Sequence, residues 1–241
     1  MSPAEPAYST PNHCLFYPEP PYQYLGARCL IGVWRAEQSV LGRVLPAPLE
    51  LTPENQVIST VCDYPHVTGL GGYHASALFI RSRFKDIEGA FCCHCYMDND
   101  AAVAAGREIW GFPKKLARIQ LQESGEIMRG VVERANIRIM SFSMNLLKEA
   151  EAEELPPLGN LFNLKRIPSP EKGTPPEVHE LTLIQYKRFT THLIVGGAGA
   201  VEFEKSPSDP LHIFEPLGKV SAFYVKQDVE LPLGKVIHRY L

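Results

Sequence analysis

The chain has 241 residues, with 45% hydrophobic, 21% charged and 10% aromatic side chains, enough apolar material for a sizeable core and too much for wholesale disorder. Lys plus Arg number 24 against 27 for Asp plus Glu, a net charge of -3, so no global basic field invites nucleic acid or anionic lipid. No apolar run reaches the roughly 18 to 20 residues of a membrane-spanning helix and no secretory signal opens the chain, which points to a soluble cytoplasmic protein whose partner is a small molecule or another subunit.

Repeats are absent and the prolines are scattered, so residues 1–241 read as one domain, with 1–12 irregular or disordered. Past a segment rich in Pro and Tyr, residues 29–34, 57–62, 77–84 and 91–97 are strands dominated by Val, Ile, Phe, Cys and Tyr. Residues 37–44 form a short helix closed by Pro46. A second helix covers 100–108, with Asp98 or Asn99 as its N-cap and a stop before Gly111-Phe112-Pro113. Residues 117–122 and 127–133 make a hairpin about Ser124-Gly125, and 137–144 continues the alternation. The acidic stretch 149–159 and the four-proline stretch 168–177 are loops, and strand-like runs return over 181–201 and 220–231. The fold class is mainly β, in the α+β sense, built as an antiparallel meander or barrel.

Three motifs invite chemistry. In Cys92-Cys93-His94-Cys95, strict strand alternation puts Cys93 and Cys95 on one face and Cys92 and His94 on the other, so the four cannot converge on zinc. Reduced thiols are the expectation for all six cysteines of the chain, and buried strand positions for those of this motif. Gly196-Gly197-Ala198-Gly199 lacks the spacing of a dinucleotide loop and reads as a glycine-rich turn. Lys114-Lys115 follows a helix end, Trp110, Phe112 and a rigid proline. A lysine among large apolar rings loses solvation, which disfavours its ammonium form, and a neutral amine attacks ketones to form a Schiff base.

The stretch Gly106-Arg107-Glu108-Ile109-Trp110-Gly111-Phe112-Pro113-Lys114-Lys115-Leu116-Ala117 resembles the signature of the acetoacetate decarboxylase family. Tyr96-Met97-Asp98-Asn99-Asp100, Val67-Thr68-Gly69-Leu70-Gly71-Gly72-Tyr73 and Leu45-Pro46-Ala47-Pro48-Leu49-Glu50 resemble further family segments, so the similarity covers most of the chain. The resemblance implies a closed antiparallel β-barrel with peripheral helices, a homo-oligomer, and a carbon-carbon lyase that needs no metal or organic cofactor. It also implies a Schiff base on Lys114, seconded by Lys115. Arg28 matches a family arginine, whereas Ala75 and Thr60 stand where the decarboxylases carry glutamates. Glu108, Tyr73 and His74 are candidates for proton transfer or positioning, and Trp110, Phe112, Met97 and Tyr224 for substrate binding.

Three functions fit this reading. The first is decarboxylation of a β-keto acid, in a pocket that two lost acids leave less charged and roomier. The second is an aldolase or dehydratase acting on a 2-oxo acid through the same lysine. The third is a non-catalytic barrel that binds a small carbonyl compound.

Overall fold

Apolar side chains at every second position make the first long strand, β1 (Tyr22–Arg35), which buries Cys29 and Ile31 on one face and Leu30 and Trp34 on the other. The computed structural model describes residues 8–156 and 158–240, the side chains of 188 and 189 excepted. The same two-faced pattern recurs in β3 (Gln56–Tyr64), β5 (Tyr73–Phe84) and β6 (Ile87–Met97), between which lie the two-residue strands β2 (Glu50–Leu51) and β4 (His66–Val67). After β7 (Lys114–Leu116), a meander of β8 (Arg118–Ser124), β9 (Ile127–Arg134) and β10 (Ile137–Asn145) leads to the short β11 (Lys148–Glu149). The chain ends with β12 (Asn160–Ile167), β13 (Val178–Gln185), β14 (Lys187–Glu202), β15 (Val220–Leu231) and β16 (Lys235–Arg239). Helices are few: α1 (Gln38–Val44), α2 (Asp100–Ala105) and single turns elsewhere. None among the described residues is long and apolar enough to cross a membrane.

The strands form one sheet in the order β16, β13, β12, β6, β5, β3, β1, β15, β14, β10, β9, β8. The expected closed barrel is corrected here: β16 and β8 end the path without pairing to each other. Instead the β8 to β10 end turns back over one face, where Ile119, Met128 and Val132 bury with Leu30, Val61 and Leu78. Gly130 permits this approach, because a Cβ there would strike the side chain of Val61. Apolar packing thus covers the face without hydrogen-bonded closure.

Three local expectations also change, after an N-terminal stretch of irregular structure. Residues 8–12 are bends and turns tied by Ser9, whose Oγ donates to Tyr17 O at 2.9 Å, while 1–7 lie outside the described residues. A β-bulge at Cys93 breaks strict alternation in β6, so Cys92 and Cys95 share a face. The glycines from 196 to 199 lie inside β14, paired with β15, rather than in a turn. Gly197 and Gly199 sit where a Cβ would collide with Asn145 O and with Phe142 and Ala222, so they let backbones pack closely. Finally, Cys29 and Cys62 are joined as a disulfide, not reduced: the register of β1 and β3 sets them directly opposite, with Cα atoms 4.2 Å apart.

Candidate active site

Helix α2 begins where the Asn99 side chain accepts from the Ala102 amide at 2.8 Å, which satisfies an orphan donor of the first turn. The helix then widens into one π-helical turn, Gly106–Trp110, and stops at Gly111, whose φ of 80° is the left-handed geometry that glycine adopts without strain. Pro113 keeps the chain extended, and β7 joins β6 in parallel, pairing Lys114 with Cys95. A single cross-strand row results: Ile31, Thr60, Ala77, Cys95 and Lys114 on five neighbouring strands.

Lys114 is 7% exposed. Its Nζ donates to Ala102 O at 3.0 Å and lies 5.3 Å from the centre of the Phe112 ring. Burial pulls its pKa below the ordinary lysine value, against an opposing pull from Cys95 and Cys92. Gly106 makes room for it: a Cβ there would run into Cδ, Cε and Nζ of Lys114. The Cys95 thiol is lowered, first by a hydrogen bond from Cys92 and then, against burial, by the neighbouring Lys114.

The amine opens into a cavity of about 60 Å³. Tyrosines 24, 64, 73 and 186 surround it, with the hydroxyls of Tyr24 and Tyr73 3.0 Å apart and the rings of Tyr24, Tyr64 and Tyr73 packed edge to face. Burial raises the pKa of all four phenols, so they are neutral hydrogen-bonding groups at pH 7. Thr60 and Ala75, the positions where the resemblance expects acids, both line the cavity, as do Cys95, Met97 and Phe112. Among the described lining residues Lys114 is the one Lys, Arg, Asp or Glu side chain.

Of the residues singled out from sequence, Lys114, Tyr73, Met97 and Phe112 meet at this cavity. Trp110 is buried behind it, its ring edge on Phe112 and its Nε1 donating to Pro232 O at 3.0 Å. Arg28, His74, Lys115 and Tyr224 stand elsewhere, because strand neighbours point to opposite faces, and Glu108 lies on the π-helical turn. Arg28 pairs with Asp63, and His74 with Asp98 at 2.8 Å, on the side away from the cavity. Tyr224 buries in the second core, under β8 to β10. Lys115 points to that side too, its Nζ 2.7 Å from Asp209, a carboxylate that also accepts from Tyr96 at 3.0 Å and Arg134 at 3.1 Å. Glu108 is exposed and accepts a hydrogen bond from Tyr17.

Sequence reasoning missed Tyr24, Tyr64, Tyr186, Cys95 and Gly106. Tyr22 and Tyr24 alternate on one strand face, and Tyr64 pairs directly with Tyr73, but the pairing that gathers them is tertiary. Tyr186 falls at the junction of β13 and β14 and has no local signal. Among the described residues no group of three His, Cys, Asp or Glu side chains could hold a metal ion.

Comparison with known proteins agrees with this architecture. The profile of the acetoacetate decarboxylase (ADC) family matches residues 2–241. Acetoacetate decarboxylase 3 of Mesorhizobium japonicum is 30% identical over 239 residues, covering 98% of this chain and 92% of that protein. A structure described as a structural study of acetoacetate decarboxylase superposes with a TM-score of 0.91 at 27% identity, covering 97% of this chain and 96% of the other. The acetoacetate decarboxylase of Legionella pneumophila superposes with a TM-score of 0.88 at 29% identity, over 94% and 91% of the two chains. A family profile matched from end to end, together with relatives and folds that span nearly the whole chain, establishes that this chain belongs to the acetoacetate decarboxylase family and is a decarboxylase-type lyase.

Proposed function

We propose that Lys114 decarboxylates a β-keto acid through a Schiff base. The observation that carries this reading is a buried, desolvated amine facing a cavity whose described lining holds no carboxylate. The neutral Nζ attacks the ketone carbon, and the carbinolamine loses water to give an iminium. The carboxylate-bearing carbon-carbon bond then breaks, its electron pair moves to nitrogen through the enamine, and carbon dioxide leaves. The enamine takes a proton at carbon, and water adds to release the ketone and the free amine. The tyrosine hydroxyls stay protonated, so they can donate to the substrate's oxygens, and no fixed carboxylate repels its anion. Homo-oligomeric assembly, measurable by light scattering, belongs to the same proposal.

Incubation with acetoacetate or acetylacetone followed by borohydride should add the ligand mass to the peptide carrying Lys114. Lys114→Arg should abolish both this adduct and carbon dioxide release, since a guanidinium stays protonated. Modification confined to other lysines would refute the mechanism. A new carbon-carbon bond from pyruvate and an aldehyde, without carbon dioxide, would assign the aldolase chemistry instead.

A further inference from the structure

A second cavity, of about 90 Å³, adjoins the first. Tyr24, Thr60, Tyr64, Phe79 and Tyr186 line both. Beyond them the second cavity is walled by Ile31, Leu158, Leu161, Val229 and the Cys29–Cys62 disulfide, with Gln227 as its further polar side chain. None of its described lining residues is charged. The row that carries Lys114 leads there: from the lysine it passes the small side chains of Cys95, Ala77 and Thr60 and arrives at Ile31. Each step is one strand spacing of about 4.8 Å, so the row forms a trough much longer than acetoacetate.

We propose that this trough and second cavity hold the uncharged alkyl or aryl chain of a β-keto acid longer than acetoacetate, with the ketone at Lys114 and the chain directed toward Ile31 and Leu158. The inference rests on the Schiff-base reading above. A charged chain is disfavoured, because nothing described in the second cavity would pair with it and burial of an unpaired charge is costly. An apolar chain, by contrast, gains from every methylene removed from water.

The test is a substrate series of acetoacetate, 3-oxohexanoate, 3-oxooctanoate and benzoylacetate, with kcat/KM taken from carbon dioxide release above the uncatalysed rate. At about fourfold per buried methylene, 3-oxohexanoate should exceed acetoacetate by roughly 15-fold. Leu158→Trp and Ile31→Phe, which fill the second cavity alone, should erase that gain while leaving acetoacetate turnover and borohydride trapping on Lys114 intact. Leu158 lies in an irregular segment, so its replacement is the milder of the two. A flat or falling series in protein that still traps acetylacetone on Lys114 would overturn the inference and leave the Schiff base standing. Retention of the chain-length gain in both folded variants would overturn it equally. Failure of every ketone to trap on Lys114 would overturn the Schiff-base reading, and the inference with it.

Discussion

Replacing Gly106 with Ala adds one methyl group where the amine of Lys114 now rests. The backbone at this position is ordinary right-handed helix, φ -64° and ψ -39°, so alanine fits it without strain and by helix propensity would stabilise the fold by about 0.5 to 1 kcal/mol. The new Cβ, however, would stand 2.5 Å from Nζ and nearer still to Cδ and Cε. Non-bonded carbons settle at about 3.5 Å, so the amine must retreat by about 1 Å, leaving the hydrogen bond to Ala102 O. Overpacking of this kind costs about 1 to 3 kcal/mol. Set against the propensity gain, the net loss of stability is about 0 to 2.5 kcal/mol, a fall in Tm of up to about 10 °C. A displacement of about 1 Å at a reacting group costs about 100-fold in rate, so Lys114 trapping and carbon dioxide release should both fall by that factor. Scanning calorimetry and timed borohydride trapping read the two effects separately. Gly42→Ala is the control: its Cβ would meet nothing within 4 Å on α1, so it should raise stability and leave trapping unchanged. A Gly106→Ala protein that gains stability like the control and traps at the wild-type rate would refute this placement of Lys114.

Lys115→Gln should keep imine trapping and cost about 1 kcal/mol, or 2 to 4 °C in Tm, because Asp209 retains Arg134 and Tyr96 while losing a half-exposed partner; abolished trapping in folded protein would mean that the two lysines are assigned the wrong way round. Trapping at Lys114 should slow as pH falls, with a midpoint below the ordinary lysine value of 10.5, because burial lowers its pKa and only the neutral amine reacts; a midpoint at 10.5 would mean a solvated amine. The His94 pKa is pushed down to about 4, chiefly by burial and then by Lys115, so the fold holds it neutral while the unfolded chain protonates near 6.5. Its contribution is therefore complete above pH 6.5 and lost as pH drops toward 4, roughly 3 kcal/mol at most, and His94→Gln should flatten the urea-measured stability profile in that window. Prolonged EDTA treatment should leave carbon dioxide release unchanged, and activity restored by added metal alone would contradict the Schiff-base reading.

Much of the β architecture is local information, because a period of two in apolar residues survives in any strand whatever it pairs with. Hence 220–231 is the strand Val220–Leu231 itself, and 57–62 lies inside β3. The stop at Gly111-Phe112-Pro113 and the apolar setting of Lys114 are likewise properties of adjacent residues. What one strand cannot specify is which of its two faces looks at a cavity. Tyr73 and His74 are equivalent candidates until pairing turns Tyr73 inward, whereas the resemblance and the apolar rings beside it single out Lys114 over Lys115 from the sequence alone. A single unpaired residue at Cys93 was enough to bring Cys92 round to the face of Cys95, and the disulfide partner of Cys29 was unreadable until β1 and β3 acquired a register. The four tyrosines arrive from strands and a junction up to 162 residues apart, Tyr24 to Tyr186, and no local pattern records that meeting. Side-chain chemistry and strand period are short-range properties and can be read along the chain. Face, register and the open path of the sheet depend on which backbones hydrogen-bond to which, and only the folded chain decides that.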